Sequence, residues 1–356
     1  MTKRAEGGIT VEARTSDLGE REAAAPELLA SIIITTYNRQ DALIKSLKAL
    51  SRQTVSPDSY EVVVVDDGST DRTWEALKKI SLPCAVRAFR QSANRGISAG
   101  RNLAIRNARG RYLICVSDDL IVPESFIATH VETLVRFPGF WVVGGFQQLP
   151  SLRESPFGRY LDDLEDSFTE ARKLAAVEPD IWELNWPTAR NLSLPVEDIG
   201  KIGVFDERFR VTCEDQDLAH RAREVGIRFL YNARISCLHN DQAGDLVRCC
   251  RAQWRGAHDT VLLCAKYPDI HRRSPLVLTN GYLTLRDGPI LGSKKLAKRL
   301  LSTDIAMRML FRLVAICERG HLPERVLRCL YRLLIGLSIF RGWREGLKTL
   351  ERERAG

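Results

Sequence analysis

The chain's 356 residues, 44% hydrophobic and 7% aromatic, suffice to bury one large core or one core with a smaller appendage. The net charge of +8 admits anionic partners, but no nucleic-acid-binding motif is present and few aromatics interleave with the basic residues, so no nucleic-acid partner is expected. No stretch approaches the roughly 18 uninterrupted apolar residues that a membrane span requires, and nine cysteines without a CxxC pair suit a reducing, cytoplasmic setting.

Residues 1–27 are polar, charged and Ala/Gly-rich, without the apolar segment of a signal peptide, and read as a disordered tail. From Ile32, short β-branched runs alternate with helical periods. SIIITTYN reads as a buried strand, after which Leu43, Ile44, Leu47 and Leu50 share one helical face. YEVVVVDD is a second strand, its continuous valines suited to a parallel strand covered on both sides. A helix in STDRTWEALKKI follows, capped around Ser69, Thr70 and Asp71. Next come a strand in AVRAFRQ, a helix through ISAGRNLAIRNA stopping at Gly110, a strand in RYLICVSDD, a helix from Pro123 and a strand in WVVGGF. This alternation implies an α/β fold with a Rossmann-like, mostly parallel sheet. In such sheets ligands bind beyond the carboxyl ends of the strands.

Prolines break the pattern between 151 and 195, and regularity resumes with CEDQDLAHRAREVG as a helix and IRFLYNARISCLHN as a strand. After Asp245 helices are expected over 246–266, about 294–318 and about 323–350, with a loop around 268–293. The expected organisation is therefore a tail over 1–27, a catalytic domain over 28–243 and a helical C-terminal region over 244–356 packed on the core. In RVLRCLYRLLIGLSIF the interleaved arginines and leucines suit either a helix docked on the core or peripheral contact with the inner face of a membrane.

The strand ends carry Thr35 to Asn38, Asp66 to Ser69 and Ser117 to Asp119. Carboxylates gathered there make an acidic cleft in a basic protein, and an uncompensated cluster calls for a bound cation. A strand-end carboxylate can only accept hydrogen bonds, so it selects a ligand edge that donates. DDGST is equally good chemistry for a plain βα turn.

Four ordered segments, SIIITTYNR, VVVVDDGSTD, NRGISAGRNLAIRNARGRYLICVSDD and CEDQDLAHRAREVG, resemble the family 2 glycosyltransferases from about Ser31 to His239. The resemblance implies a GT-A fold and sugar transfer, with inversion, from a nucleoside diphosphate donor, UDP above all, to a hydroxyl acceptor such as a glycan, a lipid-linked sugar or a small molecule. It implies that Asp66 meets the donor base, often at uracil N3–H, and that Asp67 supports the turn or the ribose. Thr36 and Tyr37 would floor the pocket, Arg101 (ahead of Arg95) would line it, and Asp118 would lie beside the donor.

Ser117-Asp118-Asp119 stands where the family carries DxD, with Ser117 replacing the first Asp. Hard oxygen ligands suit Mn²⁺ or Mg²⁺, so Asp119 is the expected ligand, joined by His239. The resemblance implies Asp215 as the general base, an inverting displacement needing a carboxylate to take the acceptor proton, and Glu214 as its acceptor-orienting neighbour. Trp186 and Asn191, in WPTARNLSL, are acceptor-side candidates. RCCRAQWRGAH scrambles the QxxRW order of processive synthases, and a membrane-embedded polymer synthase is excluded by the missing spans. A sugar-phosphate nucleotidyltransferase and a non-catalytic nucleotide-sugar binder stand as alternatives.

Overall fold

The computed structural model describes residues 10–11, 28–240, 245–271, 275–284 and 287–355. The expected N-terminal tail, apart from Thr10–Val11, lies outside the described residues. The chain forms two compact units, one of Met1–Leu149, Leu164–Arg210 and Glu214–Asp241, the other of Pro150–Asp163, Val211–Cys213 and Gln242–Gly356.

The strands are β1 (Thr10–Val11), β2 (Leu28–Thr36), β3 (Tyr60–Asp66), β4 (Ala85–Arg90), β5 (Gly110–Val116), β6 (Leu120–Ile121), β7 (Phe140–Gln148), β8 (Lys173–Glu178), β9 (Ile181–Leu184), β10 (Asn191–Pro195) and β11 (Arg228–His239). They make one sheet in the order β1-β4-β3-β2-β5-β10-β7-β11-β9-β8, with β6 pairing β11. The β1-β4-β3-β2-β5 half is parallel throughout. In the other half β10 runs antiparallel between β5 and β7, while β7 and β11 are parallel.

The first unit's helices are α1 (Gln40–Leu50), α2 (Thr73–Lys79), α3 (Ile97–Asn107), α4 (Phe126–Arg136), α5 (Pro156–Arg172, whose first residues belong to the other unit), α6 (Val196–Ile202) and α7 (Glu214–Glu224). Side chains of a strand alternate between faces, so Ile32, Ile34, Val62 and Val64 enter one core while Ile33, Val63 and Val65 enter a second. All seven residues of β3 are buried, as its valine run requires.

Three expectations change. α3 ends at Asn107, and Gly110 instead opens β5, where a Cβ would lie 2.3 Å from the Ser31 nitrogen. Gly110 is therefore needed for close strand approach rather than as a helix stop. The proline-punctuated stretch is ordered as α5, β8, β9 and β10, because its prolines fall at element ends, where the missing N–H costs little. The helix expected over 294–318 is two helices, α11 (Pro289–Leu301) and α12 (Asp304–Arg319), since the Thr303 side chain caps a new start by accepting from the Ala306 N–H at 3.4 Å.

The second unit is helical: α8 (Leu246–Lys266), α9 (Pro268–His271), α10 (Pro275–Asn280), α11 (Pro289–Leu301), α12 (Asp304–Arg319) and α13 (Glu324–Ala355). α13 buries Leu327, Tyr331, Leu334, Leu337, Phe340 and Trp343. These apolar residues thus serve helix packing within the unit. Gly342 lets α13 approach α8 at Trp254, whose carbonyl oxygen would meet a Cβ at 1.9 Å. The Trp254 indole N–H donates to Glu345 at 3.0 Å, so Trp254 has a packing partner within this unit. No helix among the described residues is long and apolar enough to cross a membrane.

Candidate active site

The parallel register brings Thr36 beside Asp66 and Asp66 beside Arg90, at the carboxyl edge of β2, β3 and β4. Asp66 is fully buried. Its Oδ1 accepts the Ser69 N–H at 3.0 Å. Its Oδ2 has Arg90 Nε at 3.1 Å, but outside hydrogen-bonding alignment, and remains an unsatisfied acceptor. Asp67 is satisfied within the protein: Oδ1 accepts from Arg95 N–H and the Gln91 carboxamide, and Oδ2 from Gly96 N–H, at 2.8 to 2.9 Å. It supports the turn into α3, of the two roles expected for it. Gly96 adopts φ +96° with the Arg210 backbone where a Cβ would stand, so the turn demands glycine.

α3 is also tied to the FDERF segment, since Asn102 exchanges hydrogen bonds with the Phe205 backbone and Ser98 donates to the Phe209 carbonyl.

Beyond β5, β6 pairs antiparallel with the end of β11, placing His239 opposite Leu120 and next to Asp119. His239 Nε2 lies 3.4 Å from Asp119 Oδ2, and the Gln148 carboxamide is 3.1 Å from Nδ1. With the Gln148 amide donating to Nδ1, Nε2 carries the imidazole proton and faces Asp119. Asp118 accepts from the Thr36 hydroxyl at 2.7 Å and from Arg39 Nη1 at 3.2 Å. The same Arg39 guanidinium reaches Asp119. The acidic cluster is thus partly compensated by the protein, contrary to the reading that called it uncompensated.

Burial and the Asp119 charge push the Asp118 carboxyl up to about 6. For Asp119 burial pushes upward too, but His239 and Arg39 outweigh it and hold the carboxyl well below its ordinary range.

Among the described residues no three His, Cys, Asp or Glu side chains converge. Asp119 Oδ1 is nevertheless buried and has no hydrogen-bond partner, and a hard oxygen beside an imidazole nitrogen suits Mn²⁺ or Mg²⁺. These two residues fit a divalent ion that takes its remaining ligands from a phosphate and water.

At the start of α7, Glu214 is buried and ion-paired with Arg101. Arg101 also donates to the Ala189 carbonyl at 3.1 Å. Asp215 is only part-buried, its carboxylate accepting from Ala189 N–H at 3.2 Å and Gln216 N–H at 2.9 Å. Arg101 and Glu214 thus neutralise each other, whereas Asp215 forms no ion pair among the described residues and retains accessible surface. Asp217 pairs with Arg221 at 2.9 Å along the helix.

Of the remaining sequence candidates, Thr36 spends its hydroxyl on Asp118, and Tyr37 is exposed. Trp186 is 40% exposed, shortly before Ala189. Asn191 is a correction. It is fully buried, bonded to His130 Nε2 at 2.9 Å and to the Gly145 carbonyl at 3.3 Å, and so belongs to the core rather than an acceptor surface. A cavity of about 340 Å³ is lined wholly by residues of the second unit, among them Trp254, Met307 and Phe311. Its mostly apolar wall lacks this chemistry, so the site is assigned from the carboxylates.

The family model for Glycosyl transferase family 2 matches residues 31–149. The uncharacterized glycosyltransferase YfnE of Bacillus subtilis (strain 168) is 27% identical over 294 residues, covering 71% of this chain and 74% of that protein. Residues 31–149 of the chain thus carry the match to glycosyltransferase family 2.

This glycosyltransferase is also 30% identical over 223 residues to validoxylamine A glucosyltransferase of Streptomyces hygroscopicus subsp. limoneus, covering 56% of the chain but 49% of that relative. It thus spans about three-quarters of one curated relative and half of the other. Its GT-A fold matches that of the mannosyltransferase PcManGT from Pyrobaculum calidifontis, solved with GDP-Man and Mn²⁺, at TM-score 0.57 and 18% identity, covering 93% of this chain and 91% of that one. The contact residue of Asp118 and Asp119 that the sequence reading did not name is Arg39. Its signal was available, because a cation directly follows TTYN at the same sheet edge as the two aspartates.

Proposed function

We propose that this chain, as a family 2 glycosyltransferase, transfers a sugar with inversion from a UDP-linked donor to a hydroxyl acceptor carried by a glycan, a lipid-linked sugar or a small molecule. The observation that carries the reading is a pair of buried, unsatisfied carboxylate oxygens, Asp66 Oδ2 and Asp119 Oδ1, at the exits of β3 and β5, the two strands flanking β2. Leaving such acceptors unpaired costs free energy, so the site selects a ligand that supplies a donor and a cation. Uracil N3–H answers the first, received by Asp66. Asp119 and His239 would hold Mn²⁺ or Mg²⁺, which when bound neutralises diphosphate charge.

Asp118 and Arg39 border the donor phosphates, and Asp67 keeps the Arg95–Gly96 turn in place beside them. Asp215 accepts the acceptor hydroxyl's proton as that oxygen attacks the anomeric carbon. Two backbone N–H groups donate to its carboxylate, and it stands in the first turn of α7. Glu214 acts through Arg101, fixing the start of α7 so that Asp215 is aimed. Trp186 supplies an exposed ring near the Ala189 backbone on which an acceptor sugar can stack.

The test is a panel of UDP- and GDP-sugars scored by thermal stabilisation with and without Mn²⁺, because a ligand of the folded state raises its apparent stability. A UDP-sugar should give the largest metal-dependent shift. No shift with any nucleotide sugar would refute the reading.

A further inference from the structure

α12 exposes a stripe that the described residues do not cover. Ile305 is 67% exposed, Met309 65%, Ile316 65% and Leu313 45%. At 3.6 residues per turn these four side chains fall within a sector of about 80°. Met307 and Val314, on the opposite side of the helix, are buried. The helix is therefore already anchored within its unit, and the stripe is surplus to that packing. Four large apolar side chains aligned on one face differ from apolar residues scattered singly over a surface.

The charges along α12 indicate what covers it. Arg308, Arg312 and Arg319 are all exposed and occupy the sector next to the stripe. The two acidic residues of the helix are engaged inside the same unit, Asp304 with Arg341 at 2.7 Å and Glu318 with the Tyr331 hydroxyl at 2.6 Å. In the preceding α11, Lys294 and Arg299 are exposed together with Ile290 and Leu300. An apolar stripe edged by arginines matches the boundary of an anionic bilayer, where the apolar side chains enter the acyl region and the guanidinium groups stay at the headgroups. A partner protein with a neutral apolar groove would leave the arginine row unmatched.

We propose that α12 is a membrane-docking helix that seats this glycosyltransferase on anionic lipid. This surface is independent of the reaction assigned to the carboxylate site, so either can fail alone.

The test is sedimentation of the full-length protein with vesicles of phosphatidylcholine alone or with about one-third phosphatidylglycerol. Binding should require the anionic lipid and weaken with added salt. The triple variant I305S/M309S/I316S should bind at least tenfold more weakly with an unchanged melting temperature. R308Q/R312Q/R319Q should lower partitioning roughly 100-fold, since each basic group near the surface contributes about fivefold. Absence of binding to the anionic vesicles, or equal binding by all three proteins, would overturn the proposal. So would a wild-type dimer that the apolar variant converts to monomer while vesicle binding is unaffected, for then the stripe is an interface between copies.

Discussion

Arg101 and Glu214 form a buried ion pair that ties α3 to the first turn of α7. The arginine belongs to the motif read as donor-side and the glutamate to the motif read as acceptor-side. Their pairing makes the two motifs interdependent, so neither side chain is spare for a ligand in this geometry.

Burial and the adjacent Asp215 charge push the Glu214 carboxyl up to about 7, with Arg101 opposing only in part. An acid whose folded pKa exceeds its unfolded value binds more protons when folded, so its stabilising contribution is lost as pH rises from about 4.5 through 7. His130 has the opposite linkage. Burial lowers it to about 4, so its contribution is lost as pH falls below about 6.5. The two effects oppose each other between roughly pH 4.5 and 6.5. Glu214→Gln should therefore gain melting temperature relative to wild type as pH rises from 5 to 7.5. A difference that is constant across that range would contradict the assignment.

Asp215→Asn should lower kcat by about 10²- to 10⁴-fold while leaving donor affinity within a few-fold. The amide keeps the shape of the carboxylate but cannot take a proton. Calorimetry with the donor beside steady-state kinetics separates the two, and a parallel loss of both would reassign Asp215 to donor binding.

Arg39 lies against the carboxylates that would face a metal. Arg39→Ala should therefore tighten Mn²⁺ binding in the absence of nucleotide by roughly five- to tenfold, about 1 kcal/mol for a partly exposed pair. Asp119→Ala should abolish that binding. Free-Mn²⁺ electron paramagnetic resonance reads both. Weaker binding in Arg39→Ala would mean that the arginine organises the site rather than competing for it.

Gly100→Ala should cost about 1–3 kcal/mol in urea unfolding. A Cβ there would sit 2.3 Å from Thr35 Cγ2, forcing α3 off β2. An unchanged urea midpoint would show that the two elements are not in this close contact.

The parallel half of the sheet was legible because its signals are local. The valine run of β3 and the turn residues after Asp66 act within a few residues. The insertion of β10 between β5 and β7 depends on long-range pairing, which no local pattern announces. Asn191 misled for the same reason, since a polar residue beside an expected acceptor segment looks available until His130 on α4 is brought against it. The place of Arg39 after TTYN marked the right sheet edge, but its partners lie about 80 residues along the chain. The leucines of α13 and the stripe of α12 look alike in sequence, and only the packing of α8 and α13 shows which set is buried.

The central claim is transfer of a sugar from a nucleotide donor, and identification of the phosphorylated product tests it most directly. The protein is incubated with its best-stabilising nucleotide sugar, an acceptor mixture and Mn²⁺, and the products are separated by anion exchange. The account predicts release of a nucleoside diphosphate, lost in Asp215→Asn. Release of pyrophosphate, or a donor that binds tightly yet yields no product with any acceptor or with water, would contradict it.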